Sequence, residues 1–164
     1  MTTLLEHLGQ DTLPPAVIDA FMRWCVWQQA RPALITVLKQ TGLDEAVQQV
    51  QQVEAATTYA ELQQVTSTIG ADVHAMRTRT GPLGLSAAEA TCFLVSRIAA
   101  AATEAHWDPE GVAFYASQMR GWAAFAETNF SDPVRKPAGE QQARQQQEAT
   151  LAELYRLSES GALS

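Results

Sequence analysis

This chain has little of what catalytic and cofactor sites are usually built from. Only two cysteines, Cys25 and Cys92, occur in 164 residues. Two thiols are too few for a secreted disulfide framework, and both lie in apolar helical patterns where a buried thiol behaves as a small hydrophobe. They are expected to be reduced and structural. No HExxH, ExxH, CxxC or GxSxG pattern is present, so the common local signatures of zinc, redox and serine-hydrolase chemistry are missing. The segment Arg77-Thr-Arg-Thr-Gly81-Pro-Leu-Gly84 lacks the Gly-Lys-Ser/Thr ending of a phosphate loop and reads as a helix end.

Basic charge is also scarce. Eleven Lys and Arg face eighteen Asp and Glu, a net charge of −7, which disfavours nucleic acid and makes a basic protein partner easier to attract. Long apolar runs are absent. The least charged stretch, Ala90 to Ala102, is too short to span a bilayer and carries Arg97, and the first residues show no basic leader before an apolar run. The expectation is a soluble cytoplasmic protein that engages neither membrane nor nucleic acid and needs no cofactor.

Alternating strand patterns are missing too, whereas apolar residues recur every three or four positions almost throughout. The fold class is therefore all-α, one domain over residues 1–164, an antiparallel bundle of about six or seven helices. After a short helix over Thr3–Leu8, Thr12 can cap a helix with Pro14 and Pro15 in its first turn, running to Gln29 with Val17, Phe21, Trp24 and Gln28 on one side. Pro32 then predicts a new helix to Gln40, a sharp corner at Arg31 and closure by Gly42. Asp44 is placed to cap the next helix, with Val47, Val50 and Val53 inward and Gln48, Gln49, Gln51 and Gln52 outward. Thr58 to Glu61 and Ser86 to Glu89 read as capping boxes, the first ahead of a buried stripe of Leu62, Val65, Ile69, Val73 and Met76, the second opening a helix at Ala87. Asp108-Pro109-Glu110 opens another to about Thr128, and a connection from Ser131 to Gly139 precedes a last helix with Glu140, Arg144 and Glu148 in register for ion pairs.

Three groups of residues could carry function. On the helix from Ala87, Arg97 sits on a polar stripe between the carboxylates Glu89 and Glu104. His7, His74 and His106 lie on or beside three helices and could ligate zinc if they converged, in the manner of DinB-like bundle enzymes, which Leu4-Leu-Glu-His7 followed by distant histidines resembles. The third group is aromatic. Trp27 lies near the Asp19 and Arg23 stripe, and beyond Pro109 two aromatic faces adjoin, one of Tyr115, Met119, Trp122 and Ala126, the other of Phe114, Gly121 and Phe125 beside Gln118. One face suffices for packing, so Trp27, Phe114, Gln118 and Phe125 are the expected partner-binding residues.

Ala99-Ala-Ala-Ala102, Glu104-Ala-His106 and Phe114-Tyr-Ala116, with the earlier Trp24-Cys25, resemble the all-helical immunity proteins of bacterial polymorphic toxin systems. That resemblance implies a non-enzymatic protein that neutralises its partner by direct binding. The alternatives are the metal-dependent enzyme using the three histidines and a structural homodimer whose surplus aromatics pack against themselves.

Overall fold

The structure, a computed structural model, describes residues 4–8, 13–80, 83–103 and 109–163, with backbone alone for 4, 7, 77–80, 83–85 and 100–103. A 3₁₀ turn, Leu4–His7, precedes helices α1 (Pro15–Trp24), α2 (Arg31–Lys39), α3 (Ala46–Ala55), α4 (Tyr59–Thr80), α5 (Leu83–Thr103), α6 (Pro109–Ala126) and α7 (Arg135–Glu159). No strand occurs among the described residues. The all-α bundle is as the periodicity requires.

The first boundary differs from expectation. Between α1 and α2 the chain does not turn a corner but passes through a π-helical segment, Cys25–Ala30. Arg31 is helical, at φ −60° and ψ −49°, and its amide donates to Val26 O. A proline normally ends a helix because its ring collides with the carbonyl four residues back. The wider π turn relieves that crowding at Pro32, so the helix continues to Lys39. The inserted residue also shifts the helical phase. Gln28 rotates out to solvent and Gln29 rotates into the core, 1% exposed. The far end follows expectation, with Thr41 Oγ1 donating to Leu38 O at 2.8 Å and Gly42 at φ +74°.

Capping is partly as expected. The side chain of Asp44 does not cap α3, which begins after Glu45 without a side-chain cap. Val47 is exposed, whereas Gln49 is buried with Val50 and Val53. Thr58 does cap α4, accepting from the Glu61 amide at 3.1 Å, but the Glu61 carboxylate reaches one residue further back, to the Thr57 amide at 2.9 Å. Ser86 opens nothing. Helix α5 already runs from Leu83, and Glu89 Oε1 lies 2.6 Å from His74 Nδ1. Thr12, Gly81, Pro82 and His106 to Asp108 lie outside the described residues.

Helices α6 and α7 form an antiparallel hairpin. The α6 end is closed by Phe130, whose amide donates to Phe125 O at 3.1 Å, with Asn129 and Phe130 both left-handed at φ 55° and 57°. The expected connection to Gly139 is shorter, because Pro137 is the third residue of α7, where a missing amide hydrogen costs nothing. Gly139 instead serves close packing. A Cβ there would stand 2.7 Å from Ala124 Cβ and 2.9 Å from Arg120 O, and one on Gly121 would stand 2.7 Å from Lys136 O. The two backbones can approach this closely only without those methyl groups.

Phe21, Met22, Leu34, Leu38, Leu62, Ile69, Ile98, Met119 and Leu151 fill the core. Two glutamines lie among them. Gln147, fully buried, donates both amide hydrogens, to Gln29 Oε1 at 2.8 Å and to Ala113 O at 2.7 Å, while Gln29 Nε2 donates to Ala143 O at 3.1 Å. This pair ties the π segment to α6 and α7.

Replacing Gln147 by Leu strands the Gln29 carbonyl and is expected to cost about 1–3 kcal/mol in urea unfolding. Adding Gln29→Leu should recover part of that loss, a coupling of about 1 kcal/mol or more in the double-mutant cycle. Gly139→Val is expected to destabilise by about 2 kcal/mol through overpacking, against no comparable loss for exposed Ala138→Val.

Candidate functional site

The four aromatic and amide positions singled out from the sequence divide in the structure. Trp27 is half-buried within the protein's own contacts. Its ring stacks on Tyr59 at 5.8 Å and 12°, Arg31 lies 4.9 Å over the ring, and Arg31 Nη1 donates to Ala56 O. Asp19 and Arg23 bond one turn below at 3.1 Å. The resulting ladder fastens the α3–α4 corner to the π segment. Burial pushes the Tyr59 hydroxyl above its ordinary range, and among the described residues that hydroxyl has no hydrogen-bond partner.

Phe125 is also half-buried. It meets Phe130 edge-on at 5.3 Å and Trp122 at 6.3 Å, while Lys136 lies 5.1 Å over Trp122 and pairs with Glu140 at 2.6 Å. Tyr115, Met119, Trp122 and Ala126 form the face turned to the core, with Met119 and Ala126 fully buried.

Phe114 is different. It is 49% exposed and touches Tyr115 edge-on at 5.7 Å. It walls a groove of about 460 Å³ between the N-terminal turn, the start of α6 and α7, whose apolar floor includes Leu5, Leu8 and Ala113. Glu6, Glu110 and Arg144 also line it. Gln118, one turn along from Phe114, is half-buried. Phe125 lies on the same helical side but about 16 Å further along, so only Phe114 and Gln118 share one surface patch.

A second exposed aromatic escaped the sequence reading. Phe93 is 61% exposed on α5, with Arg97 5.8 Å over its ring. Its signal was its spacing, four residues from both Glu89 and Arg97, which puts it on their polar stripe. Of the expected arrangement of Arg97 between two carboxylates, Glu89 bonds His74 and Glu104 lies outside the described residues.

The histidine triad is described only in part. His74 is exposed and bonded to Glu89, the His7 side chain and all of His106 fall outside the described residues, and no cluster of three His, Cys, Asp or Glu among the described residues could hold a metal ion. Both thiols are buried, as expected. Burial, reinforced by the Glu89 carboxylate, pushes the Cys92 thiol up to about 12, and burial raises Cys25 as well. No helix among the described residues is long and apolar enough to cross a membrane. No protein-family model matches this chain, and comparison with curated proteins and with solved structures yields no match.

Both thiols should resist an aromatic disulfide reagent at neutral pH and react with two equivalents only on unfolding. Because the folded-state value of Cys92 lies above its unfolded value near 9, the stability tied to the neutral thiol is intact below about pH 9 and lost as pH rises toward 12. Thermal melts across that range should therefore fall less steeply in Cys92→Ala than in the parent chain.

Proposed function

We propose that this chain is a non-enzymatic, acidic, helical protein-binding module of the immunity type, acting in the cytoplasm by neutralising a protein partner through direct contact. The observation that carries this reading is the half-exposed Phe114 on the wall of an open groove that also presents Glu6 and Glu110. An aromatic ring beside an apolar floor gains most when a partner side chain fills the space and expels water, and such anchors dominate interface energetics. Arg144 offsets one of the two carboxylates in the groove, so it is the net charge of −7 over the whole chain that favours a basic partner and speeds its approach. Gln118, one turn away, adds a hydrogen-bonding group at the rim. Trp27 and Phe125, also expected from the sequence to bind the partner, lie away from this groove and are held in internal contacts with Tyr59, Arg31 and Phe130.

The test is affinity capture from native lysate followed by calorimetric titration of the purified partner. Phe114→Ser is expected to weaken binding by about 30-fold, the scale of an interface hot spot. Glu110→Lys should reduce both the association rate and its salt dependence. Equal binding by both variants, or no basic partner recovered at moderate salt, would overturn the reading.

A further inference from the structure

Helix α4 packs chiefly along α5, with α3 as a lesser neighbour, and among the described residues nothing covers one broad side of this α4–α5 pair. Its centre is Phe93. Glu89 lies four residues before it and Arg97 four residues after, so the three share one stripe on α5. Beside Phe93, on the α4 side, is a recess of about 270 Å³ lined by Glu89 and Phe93 together with the small side chains of Thr66, Ser67, Gly70, Cys92 and Ser96. The hairpin's own contacts leave it open. Ser67 and Ser96 bond across it at 3.1 Å, and the approach is close enough that a Cβ on Gly70 would lie 3.3 Å from Cys92 Cβ.

We propose that this face binds a second copy of the chain, α5 against α5 antiparallel, about a two-fold axis beside Phe93. The charge order decides the occupant. When a Glu–Phe–Arg stripe with four-residue spacing meets its own reversed copy, each Glu89, which keeps its His74 contact within its own chain, comes opposite the partner's Arg97, so the contact carries two complementary pairs. A parallel arrangement would set like charge against like. The two-fold also sets each Phe93 beside the other copy's recess, where small residues leave room for a ring. Self-complementarity of this kind is what an isologous interface requires. The described part of the hairpin face, about 25 Å long and two helices wide, would cover roughly 500 Å² per copy, below the ~800 Å² of a standard stable interface. The dimer is therefore reversible, and its strength falls with salt. It is separate from the Phe114 groove on α6, and Phe114→Ser leaves it unchanged.

Sedimentation equilibrium from about 10 μM to 1 mM, where even a contact of about −4 kcal/mol registers, tests this on the full chain. The parent protein should show a concentration-dependent dimer. Phe93→Ser, Glu89→Arg and Arg97→Glu should each weaken it at least tenfold, the two charge reversals because each creates two like-charge contacts. The combined Glu89→Arg and Arg97→Glu chain restores opposite charges across the axis and should regain most of the parent affinity. Circular dichroism checks that each variant keeps its helix content, and the regain in the swapped chain cannot come from misfolding. A strict monomer at the highest concentration overturns the proposal. So does a dimer indifferent to Phe93→Ser and the single reversals, or a swapped chain no better than either single variant.

Discussion

The arrangement of this bundle depends on a pair of buried amides. Gln29 and Gln147 are 118 residues apart in sequence and 2.8 Å apart in space, and between them they reach the π segment, α6 and α7. Buried amides left unpaired would be costly, so their mutual bonding selects one docking of the first long helix against the hairpin over neighbouring ones offset by a turn. Both hydrogens of Gln147 Nε2 are committed, one to Gln29 Oε1 and one to Ala113 O. The orientation of both amides follows from that, since a reversed Gln147 would bring its oxygen against two acceptors. Apolar packing of Phe21, Met22 and Leu151 supplies much of the burial around them, but such packing is far more tolerant of sliding.

Where the helices meet most closely, the chain has removed side chains rather than fitted them. Gly121 and Gly139 let α6 and α7 approach backbone to backbone, and Gly70 leaves room for the Cys92 side chain between α4 and α5. Close approach concentrates the remaining bulk at the margins. Trp27, Trp122 and Phe125 are taken up by internal stacking with Arg31, Tyr59, Lys136 and Phe130. Phe93 and Phe114 keep large exposed areas. The two lie on different helices, one on the α4–α5 hairpin and one at the start of α6, so the molecule offers two separable surfaces instead of one continuous apolar face.

Periodicity alone made the helices legible, and so did caps that act through adjacent residues, such as Thr58 with Glu61 and Gly42 after α2. What escaped was anything decided at a distance. Pro32 looks like a helix start because its local penalty is real, yet a π turn begun seven residues earlier removes that penalty. The same turn exchanges Gln28 for Gln29 at the core, a swap invisible to a fixed 100° phase. Ser86 and Glu89 have the spacing of a capping box, but Glu89 is held by His74 from the neighbouring helix. For the candidate surfaces, the exposure of Phe114 was readable from the surplus of aromatics on α6. The engagement of Trp27 was not, because Tyr59 and Ala56 reach it only through the turn between α3 and α4.

The left-handed pair Asn129 and Phe130 bears on the order in which the chain assembles. A bulky residue held at positive φ is unfavourable by itself, and here the Phe130 ring against Phe125 offsets that cost. The turn thereby aims α7 back along α6 with only eight residues between the two helices, so Gly121 can find Gly139 after closing a short loop at little entropic expense. The bond from Gln147 to Ala113 forms inside that same hairpin. A locally closed unit of this kind presents Gln147 ready-made, and the distant N-terminal helix then has a template to dock on. In kinetic language, the C-terminal third is suited to be the nucleus and Gln29 to be the last bolt.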